Sequence, residues 1–181
     1  MIEIFSILCQ LIIFLTIFSF PFTPKILNNS IVSNKTFNII DAHTINIIFF
    51  LYLSLLLSFT GINLIFFFKI YFVLAVVFIL FNYKKLRKIF NNENIILFFL
   101  FLLIVLSIFS YLAQNLRLES DGHMWLEKAL IFYNGYDIQS IRDVPTHPEY
   151  PHLGSYIWAF FWKNSILNLE YFGRYFQPYF Y

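Results

Sequence analysis

Long apolar runs separated by short polar connectors fill the larger part of the chain. A helix needs about 20 mostly apolar residues to cross the hydrocarbon core of a bilayer. Three runs approach or exceed that length: Ile4 to Phe22, Ile45 to Tyr83 and Ile95 to Ala113. The middle run is too long for one crossing, and we divide it at Thr60 to Asn63, where Thr-Gly-Ile-Asn predicts a tight turn. Division at Lys69 is the alternative, and it would leave a short second helix.

The composition is typical of a protein embedded in a bilayer. Of 181 residues, 60% are hydrophobic and 12% are charged, and the mean hydropathy is +0.72. A water-soluble domain of this length would have too little polar surface, so we expect an all-α integral membrane protein with four to five transmembrane helices. The formal charge of +2 and the lack of a long basic block argue against a nucleic-acid partner. Cys9 is the only cysteine, which excludes a disulfide framework.

A short basic run predicts which way the helices cross. Lys84 to Lys88 carries four positive charges between two apolar runs and should therefore stay in the cytoplasm. The next helix leads outward, so Gln114 to Tyr150 is predicted to lie outside. Counting backward places the connector with Lys25 and Lys35 inside and the N-terminus outside. The predicted location is the inner (plasma) membrane, as a multi-pass protein in contact with membrane lipids.

The polar chemistry is concentrated in the last third of the chain. From Gln114 onward lie 12 of the 22 charged residues, three of the four histidines and all three tryptophans. Charged groups are costly in a bilayer and mark places where water or chemistry requires them. We therefore divide the chain into membrane helices 1 to 4 (residues 1–113), an external polar loop and candidate active site (114–152), and a fifth membrane or interfacial helix with a truncated end (153–181).

A short amphipathic helix is predicted to begin after Asp121, because a carboxylate at that position can accept the free N–H groups of the first turn. Apolar side chains then recur at helical spacing, at Trp125, Ala129, Phe132 and Tyr133. Asn134 and Gly135 predict a left-handed end. We expect this helix to lie along the membrane surface, with Trp125 at the level of the headgroups.

The remaining residues divide into a loop and an apolar run. Pro145 and Pro148 exclude a regular helix from Ile138 to Glu149. The run from Gly154 to Leu169, which Lys163 interrupts, is either a fifth, short membrane span or a surface helix.

The order of these features resembles the GT-C membrane glycosyltransferases, in particular their dolichyl-phosphate-mannose-protein mannosyltransferase and aminoarabinose transferase-like branch. Asp121 matches the acid of the family's first external loop. Pro151-His152-Leu153 matches its Pro-Pro-Leu segment, with histidine in place of the second proline. Arg174, within Glu-x-x-Gly-Arg, matches the arginine of its Ala-x-Arg-Leu segment. The similarity covers Leu116 to Phe176.

This chain departs from the family pattern in three ways. Gly122 stands where a second acidic residue often follows the first. Several predicted helices precede the loop, whereas the family usually has one. Family members are also far longer, which suggests that the chain is the N-terminal part of such an enzyme.

The resemblance implies transfer of a sugar from a polyprenyl-phosphate donor to a lipid, protein or glycan acceptor on the outer face of the membrane. The attacking acceptor group needs a base, and the leaving phosphate needs a cation. Asp121 is the candidate base, and Glu119 is the second catalytic candidate. The candidates for substrate binding are His123, Arg142, His152 and Arg174, with Lys128 as a weaker option for the donor phosphate.

Other interpretations of the same residues stay open. No cofactor is implied, except that a divalent metal could bind at Asp121, His123, His147 and His152, although their spacing matches no fixed motif. Asp121 could be a helix cap alone. Tyr150, Trp158 and Trp162 could anchor the chain at the membrane interface or stack on a sugar. The competing functional hypothesis is a non-enzymatic membrane protein, a transporter subunit or assembly factor, whose external loop binds a partner.

Overall fold

The computed structural model describes residues 19–21, 37–89, 120–143, 148–149, 152–165 and 168–175, and eight separate positions between 96 and 112. These residues are helical or in turns and contain no strand, which confirms the predicted all-α class. The α-helices with defined bounds are α1 (Phe37–Phe59), α2 (Leu64–Ile89), α3 (Ser120–Tyr133) and α4 (Leu153–Asn164). Two 3₁₀ helices, Gln139–Asp143 and Glu170–Tyr175, flank α4.

The chain divides into two compact units. The first comprises Met1–Phe50 and Tyr71–Val105, and the second comprises Leu51–Ile70 and Leu106–Tyr181. Of the predicted first span, Ile4 to Phe22, only the turn at residues 19–21 lies within the described residues. The predicted three-part division of the chain stays a prediction.

The structure has a break between two helices, α1 and α2, at the predicted position Thr60 to Asn63. At the end of α1, the Thr60 hydroxyl donates a hydrogen bond to the carbonyl oxygen three residues earlier, at 2.7 Å. Gly61 has a positive φ of 71°, a conformation that glycine adopts without a steric penalty. Asn63 Oδ1 accepts the Ile65 N–H at 2.9 Å and so satisfies a free donor in the first turn of α2. The alternative break at Lys69 falls inside α2.

One helix among the described residues is long and apolar enough to cross a membrane. It runs from Leu64 to Lys84 within α2, and its most apolar 18-residue window has a mean hydropathy of 2.8. Large apolar side chains on α2 face outward, and Phe81 is 86% exposed. The apolar part of α1, His43–Phe59, is shorter than 18 residues. In the predicted span Ile95 to Ala113, the described positions are all helical.

The first unit contains an aromatic cluster around Tyr71. This residue is buried, and its ring meets the rings of Phe50 and Phe20 edge to face, at 5.0 and 5.6 Å between centroids. The Tyr71 hydroxyl also donates a hydrogen bond to the Phe20 carbonyl oxygen at 3.0 Å. Edge-to-face pairs of this kind stabilise a core beyond the burial of their area, and here they attach the turn at residues 19–21 to α1 and α2.

The second unit is built around α4, which packs against α3 and against the 3₁₀ helix Glu170–Tyr175. The stacked rings of Phe132 and Tyr156 lie 4.1 Å apart, and Ser155 Oγ donates to the Trp125 carbonyl oxygen at 3.1 Å. Gly173 lies so close to Trp158 that a Cβ there would be 1.8 Å from the indole ring. Only glycine permits this approach.

The apolar run after residue 153 forms a short helix inside the second unit, and its role as a fifth membrane span or a surface helix stays a prediction. α4 has 12 residues, a length of about 18 Å, whereas a bilayer core is about 30 Å thick. Seven successive residues of α4, from Ser155 to Phe161, are buried, so the helix is not amphipathic in the way that a surface helix would be. Its apolar side chains form the interior of the second unit.

The end of α3 packs on the turn between α1 and α2, within the second unit. Gly135 has a φ of 88°, as the predicted left-handed end of α3 requires. A Cβ at this position would lie 2.6 Å from Asn63 Oδ1 and 3.0 Å from Ile65 Cδ1. Glycine is therefore required here both by its backbone conformation and by the neighbouring turn.

Candidate functional site

A cavity of about 270 Å³ lies in the second unit. Its walls come from the end of α1, from the 3₁₀ helix that follows α3 and from the residues just before α4. The lining residues are Phe59, Ile138, Gln139, Ile141, Arg142, Pro148 and His152. Four of them are apolar, namely Phe59, Ile138, Ile141 and Pro148, and Gln139, Arg142 and His152 supply the polar atoms. A mainly apolar wall with a few converging polar groups is the usual form of a small-molecule site.

The 3₁₀ helix Gln139–Asp143 places Arg142 at the cavity. Asp137 begins this helix, because its Oδ1 accepts the backbone N–H of Ser140 at 3.1 Å and the Ser140 hydroxyl at 3.0 Å. Ile141 is only 1% exposed and fixes the helix to the interior, whereas Arg142 is exposed. The sequence predicted an irregular loop here. The Asp-x-x-Ser spacing was the local signal for this turn.

His152 lies at the start of α4. Its carbonyl oxygen accepts the N–H groups of Ser155 and Tyr156, at 3.0 and 3.3 Å, and its side chain lines the cavity. The ring atom Nδ1 is buried and has no hydrogen-bond partner among the described residues. Burial lowers the pKa of His152, and the charge of Lys128 lowers that pKa further. The imidazole is therefore neutral near pH 7.

Lys128 is not among the residues that line the cavity. It stands on α3, is 1% exposed, and its ammonium group lies 5.8 Å from the centre of the Trp125 ring. Burial lowers the pKa of Lys128, while the nearby Glu149 carboxylate raises it. Glu149 and His152 both belong to the segment just before α4, whereas Lys128 lies on α3. From the sequence, Lys128 is predicted only as a weaker option for phosphate binding, and its burial is not predicted.

Arg174 lies elsewhere in the second unit and is held by Glu170. Arg174 Nε donates to Glu170 Oε1 at 3.0 Å, and Nη2 donates to Oε2 at 2.6 Å. Glu170 Oε1 also accepts the indole N–H of Trp158 at 3.0 Å. This geometry ties the 3₁₀ helix Glu170–Tyr175 to α4. Phosphate binding by Arg174 stays a prediction, and Arg142 is the arginine that the structure places at the cavity.

The predicted catalytic acids lie at or before the start of α3. Glu119 lies outside the described residues. Because α3 begins at Ser120, Asp121 is inside its first turn rather than at the predicted capping position. Asp121 precedes Lys128 by seven residues, or about two helical turns. The two residues therefore stand on the same face of α3, about 10 Å apart along the helix axis. His123 is exposed on α3, away from the cavity lining.

The structure also bears on the other roles considered for histidine and tryptophan, which are a metal site, an anchor at the membrane interface and a stacking surface for a sugar. Within the described residues there is no group of three or more histidine, cysteine or acidic side chains that could hold a metal ion, and His147 lies outside them. Trp158 is fully buried, so it neither anchors the chain at an interface nor offers a face to a sugar. One face of Trp162 is covered by Tyr133, with ring centres 4.2 Å apart. Tyr150 is outside the described part of the chain.

Comparison with known proteins adds no assignment. No family model, no curated protein and no solved structure matches this chain. The predicted resemblance to GT-C glycosyltransferases therefore stays a prediction from the short segments around Asp121, Pro151–Leu153 and Arg174. The chemistry of the cavity has to be argued from its own residues.

Proposed function

We propose that this chain is a multi-pass membrane glycosyltransferase of the GT-C type. It transfers a sugar from a polyprenyl-phosphate donor to an acceptor on the outer face of the inner membrane. The observation that carries the proposal is the cavity in the second unit, because its walls combine an exposed guanidinium, an imidazole and apolar side chains at the end of an apolar helix.

The cavity has the chemistry needed for an anionic lipid. Arg142 can bind a phosphate through two parallel N–H groups, and His152 adds a further nitrogen. Phe59, the last residue of α1, forms another part of the wall and lies where the apolar segment of that helix ends. A ligand whose phosphate binds at Arg142 and whose apolar chain extends toward α1 would match both the polar and the apolar part of the cavity wall.

The acceptor side of the reaction would use the start of α3. A sugar acceptor attacks the anomeric carbon through a hydroxyl or similar group, whose proton must be removed. Asp121 is the candidate base, since it stands on the helical face that also carries Lys128, which in turn interacts with His152. The leaving phosphate would remain at Arg142, where its developing charge is stabilised.

The proposed function is tested by measuring whether the protein releases polyprenyl phosphate, a product of the sugar transfer. Purified protein in lipid nanodiscs should release polyprenyl phosphate from polyprenyl-phosphate mannose or polyprenyl-phosphate aminoarabinose when a membrane extract supplies acceptors. Nucleotide sugars without a lipid donor should give no transfer. Transfer from a nucleotide sugar alone would refute the proposal, and donor binding without turnover under any condition would favour the non-enzymatic membrane protein.

The contact between Gly135 and the turn at Asn63 supports the predicted sidedness. If α2 crosses the membrane, these two segments must lie on the same face, since they touch. The basic run beginning at Lys84 follows the apolar segment of α2 at its other end and would lie in the cytoplasm. The cavity would then open on the outer side, where lipid-linked sugars are used.

Cysteine labelling on intact cells tests this arrangement. In a Cys9→Ser background, cysteines placed singly at Thr60 and Ser120 should react with an impermeant thiol reagent. A cysteine at Asn92, beyond the basic run, should react only after the cells are permeabilised. Labelling of Asn92 and Ser120 from the same side would contradict the topology.

A further inference from the structure

One short segment supplies most of the cavity wall, and it does so with a regular pattern. The lining includes the residues at positions 138, 139, 141 and 142, whereas Ser140 is not part of it. The Ile141 N–H donates to the Ile138 carbonyl oxygen at 3.2 Å, so the three-residue repeat of the 3₁₀ helix already begins at Ile138. Side chains three residues apart in such a helix are eclipsed. The segment therefore presents two adjacent edges to the cavity.

The two edges differ in chemistry. Ile138 and Ile141 form the apolar edge, and Gln139 and Arg142 form the polar edge beside it. A ligand that contacts this segment meets apolar and polar groups side by side. It therefore needs an apolar face and polar groups at the margin of that face.

The polar edge also sets the distance between two groups of the ligand. A 3₁₀ helix rises about 2.0 Å per residue, so the backbones of Gln139 and Arg142 are about 6 Å apart along the axis. A guanidinium can bind a phosphate through two parallel N–H groups, and an amide has both donors and an acceptor for a hydroxyl group. A ligand that uses both side chains thus carries a hydroxyl group at a short distance from its phosphate.

The backbone of this segment is held without the side chains of the polar edge. The Ser140 N–H and hydroxyl both donate to Asp137 Oδ1, and Ile141 is buried. The side chains of Gln139 and Arg142 are exposed. These two side chains can therefore contact a ligand while the 3₁₀ helix stays in place.

A second segment contributes an unsatisfied polar atom to the same cavity. His152 is part of the lining, and its buried Nδ1 has no hydrogen-bond partner in the described part of the chain. A buried polar atom without a partner is costly, so this nitrogen favours a ligand with a polar group. The volume of about 270 Å³ is near the lower end of the range for ligand sites, about 300–1,000 Å³, and suits one sugar with its phosphate.

We propose that Gln139 recognises the sugar of the lipid-linked donor. Its amide forms a hydrogen bond with a sugar hydroxyl group, while Arg142 binds the phosphate and the apolar edge covers the C–H groups of the ring. A pyranose matches both edges, because its C–H groups form an apolar face and its hydroxyl groups project from the rim. The inference rests on the proposed function, since it takes the phosphate at Arg142 as that of a lipid-linked sugar.

Three short-chain prenyl phosphodiesters measure the contribution of the sugar to binding. Methyl citronellyl phosphate has the prenyl chain and the phosphodiester but no sugar. Citronellyl mannosyl phosphate and citronellyl aminoarabinosyl phosphate carry a sugar in addition. Their dissociation constants for the full chain in nanodiscs are measured by calorimetry. At least one sugar-carrying ester should bind more tightly than methyl citronellyl phosphate.

Gln139→Met keeps the length of the side chain and removes its hydrogen-bonding groups. It should weaken binding of the tighter sugar-carrying ester by about 2- to 12-fold, the contribution of one hydrogen bond, and leave methyl citronellyl phosphate unaffected. Arg142→Ala should weaken binding of both esters by a similar factor. Tyr136→Phe is the matched control, because Tyr136 is exposed near the 3₁₀ helix and does not line the cavity. It should change neither affinity.

The possible results separate this inference from the proposed function. If Gln139→Met weakens binding of both kinds of ester equally, or of neither, Gln139 does not recognise the sugar and the inference is wrong. Sugar-carrying esters that bind no more tightly than methyl citronellyl phosphate also overturn it, and they leave the cavity as a site for a prenyl phosphate. Failure of all three esters to bind would overturn both the inference and the proposed function.

Discussion

Asp121→Asn is expected to lower the turnover of sugar transfer by at least about 100-fold, the loss typical of a missing general base. Asparagine has nearly the same size as aspartate but almost no basicity. In the first turn of α3, asparagine loses only the favourable interaction of a carboxylate with the helix dipole, typically about 0.3–1 kcal/mol, so α3 should still form. The measurement is the release of polyprenyl phosphate at saturating donor, together with the thermal unfolding midpoint of the same preparation.

Two further variants test whether the loss of turnover is specific to the carboxylate of Asp121. Asp121→Ser also removes the carboxylate from the first turn of α3, at a small cost in helix propensity, and should be stable and inactive as well. Glu127→Gln removes a carboxylate from the same helix, at a half-buried position outside the cavity lining, and should keep most of the activity. If Asp121→Asn turns over at the normal rate, Asp121 serves only the helix start. The base would then be sought at Glu119 or Glu127.

Features with local causes could be predicted from the sequence. The turn at Thr60 to Asn63 follows from a glycine with positive φ and from an asparagine that satisfies the next helix. The end of α3 follows in the same way from Gly135. Both signals act over a few residues and depend little on the rest of the fold, so they are readable without a structure.

Features that depend on distant packing could not be predicted in this way. An apolar run has the same composition in a bilayer and in a protein interior, so the sequence did not reveal that α4 is buried within the second unit. The cavity joins Phe59 to His152, which are far apart along the chain. Helical spacing could place Lys128 on the face of Trp125 and Phe132, but its interaction with Glu149 depends on the tertiary fold.

The role predicted for Arg174 followed the family resemblance and not the spacing between Arg174 and Glu170. Glu170 and Arg174 are four residues apart, a spacing at which opposite charges commonly pair on a helix. That pairing is present and includes two hydrogen bonds. The family motif nevertheless suggested phosphate binding for Arg174. Arg142 and Arg174, the arginines in the described part of the second unit, can therefore be compared directly, Arg174 in an ion pair and Arg142 in a cavity wall.

Arg142→Ala is expected to weaken binding of the lipid-linked donor by about 10- to 100-fold, because a hydrogen-bonded charge pair contributes about 1.5–3 kcal/mol. Arg142→Lys should recover only part of this affinity, since lysine lacks the planar guanidinium that binds two phosphate oxygens at once. The exposed side chain of Arg142 makes a loss of folding stability small. Donor affinity is measured with methyl citronellyl phosphate, and stability is measured by thermal unfolding.

Arg174→Ala is the matched control. We expect it to lower the stability of the protein and to leave donor binding unchanged. Its removal leaves Glu170 with the Trp158 N–H but without its ion pair, at a side chain that is 22% exposed. The unfolding midpoint should fall, because the 3₁₀ helix Glu170–Tyr175 loses the ion pair that neutralises the Glu170 carboxylate, while donor affinity of the folded protein should be unchanged. A rise in the dissociation constant for Arg174→Ala equal to that for Arg142→Ala would return the donor phosphate to Arg174. In that case the cavity at Arg142 would no longer support the proposed function.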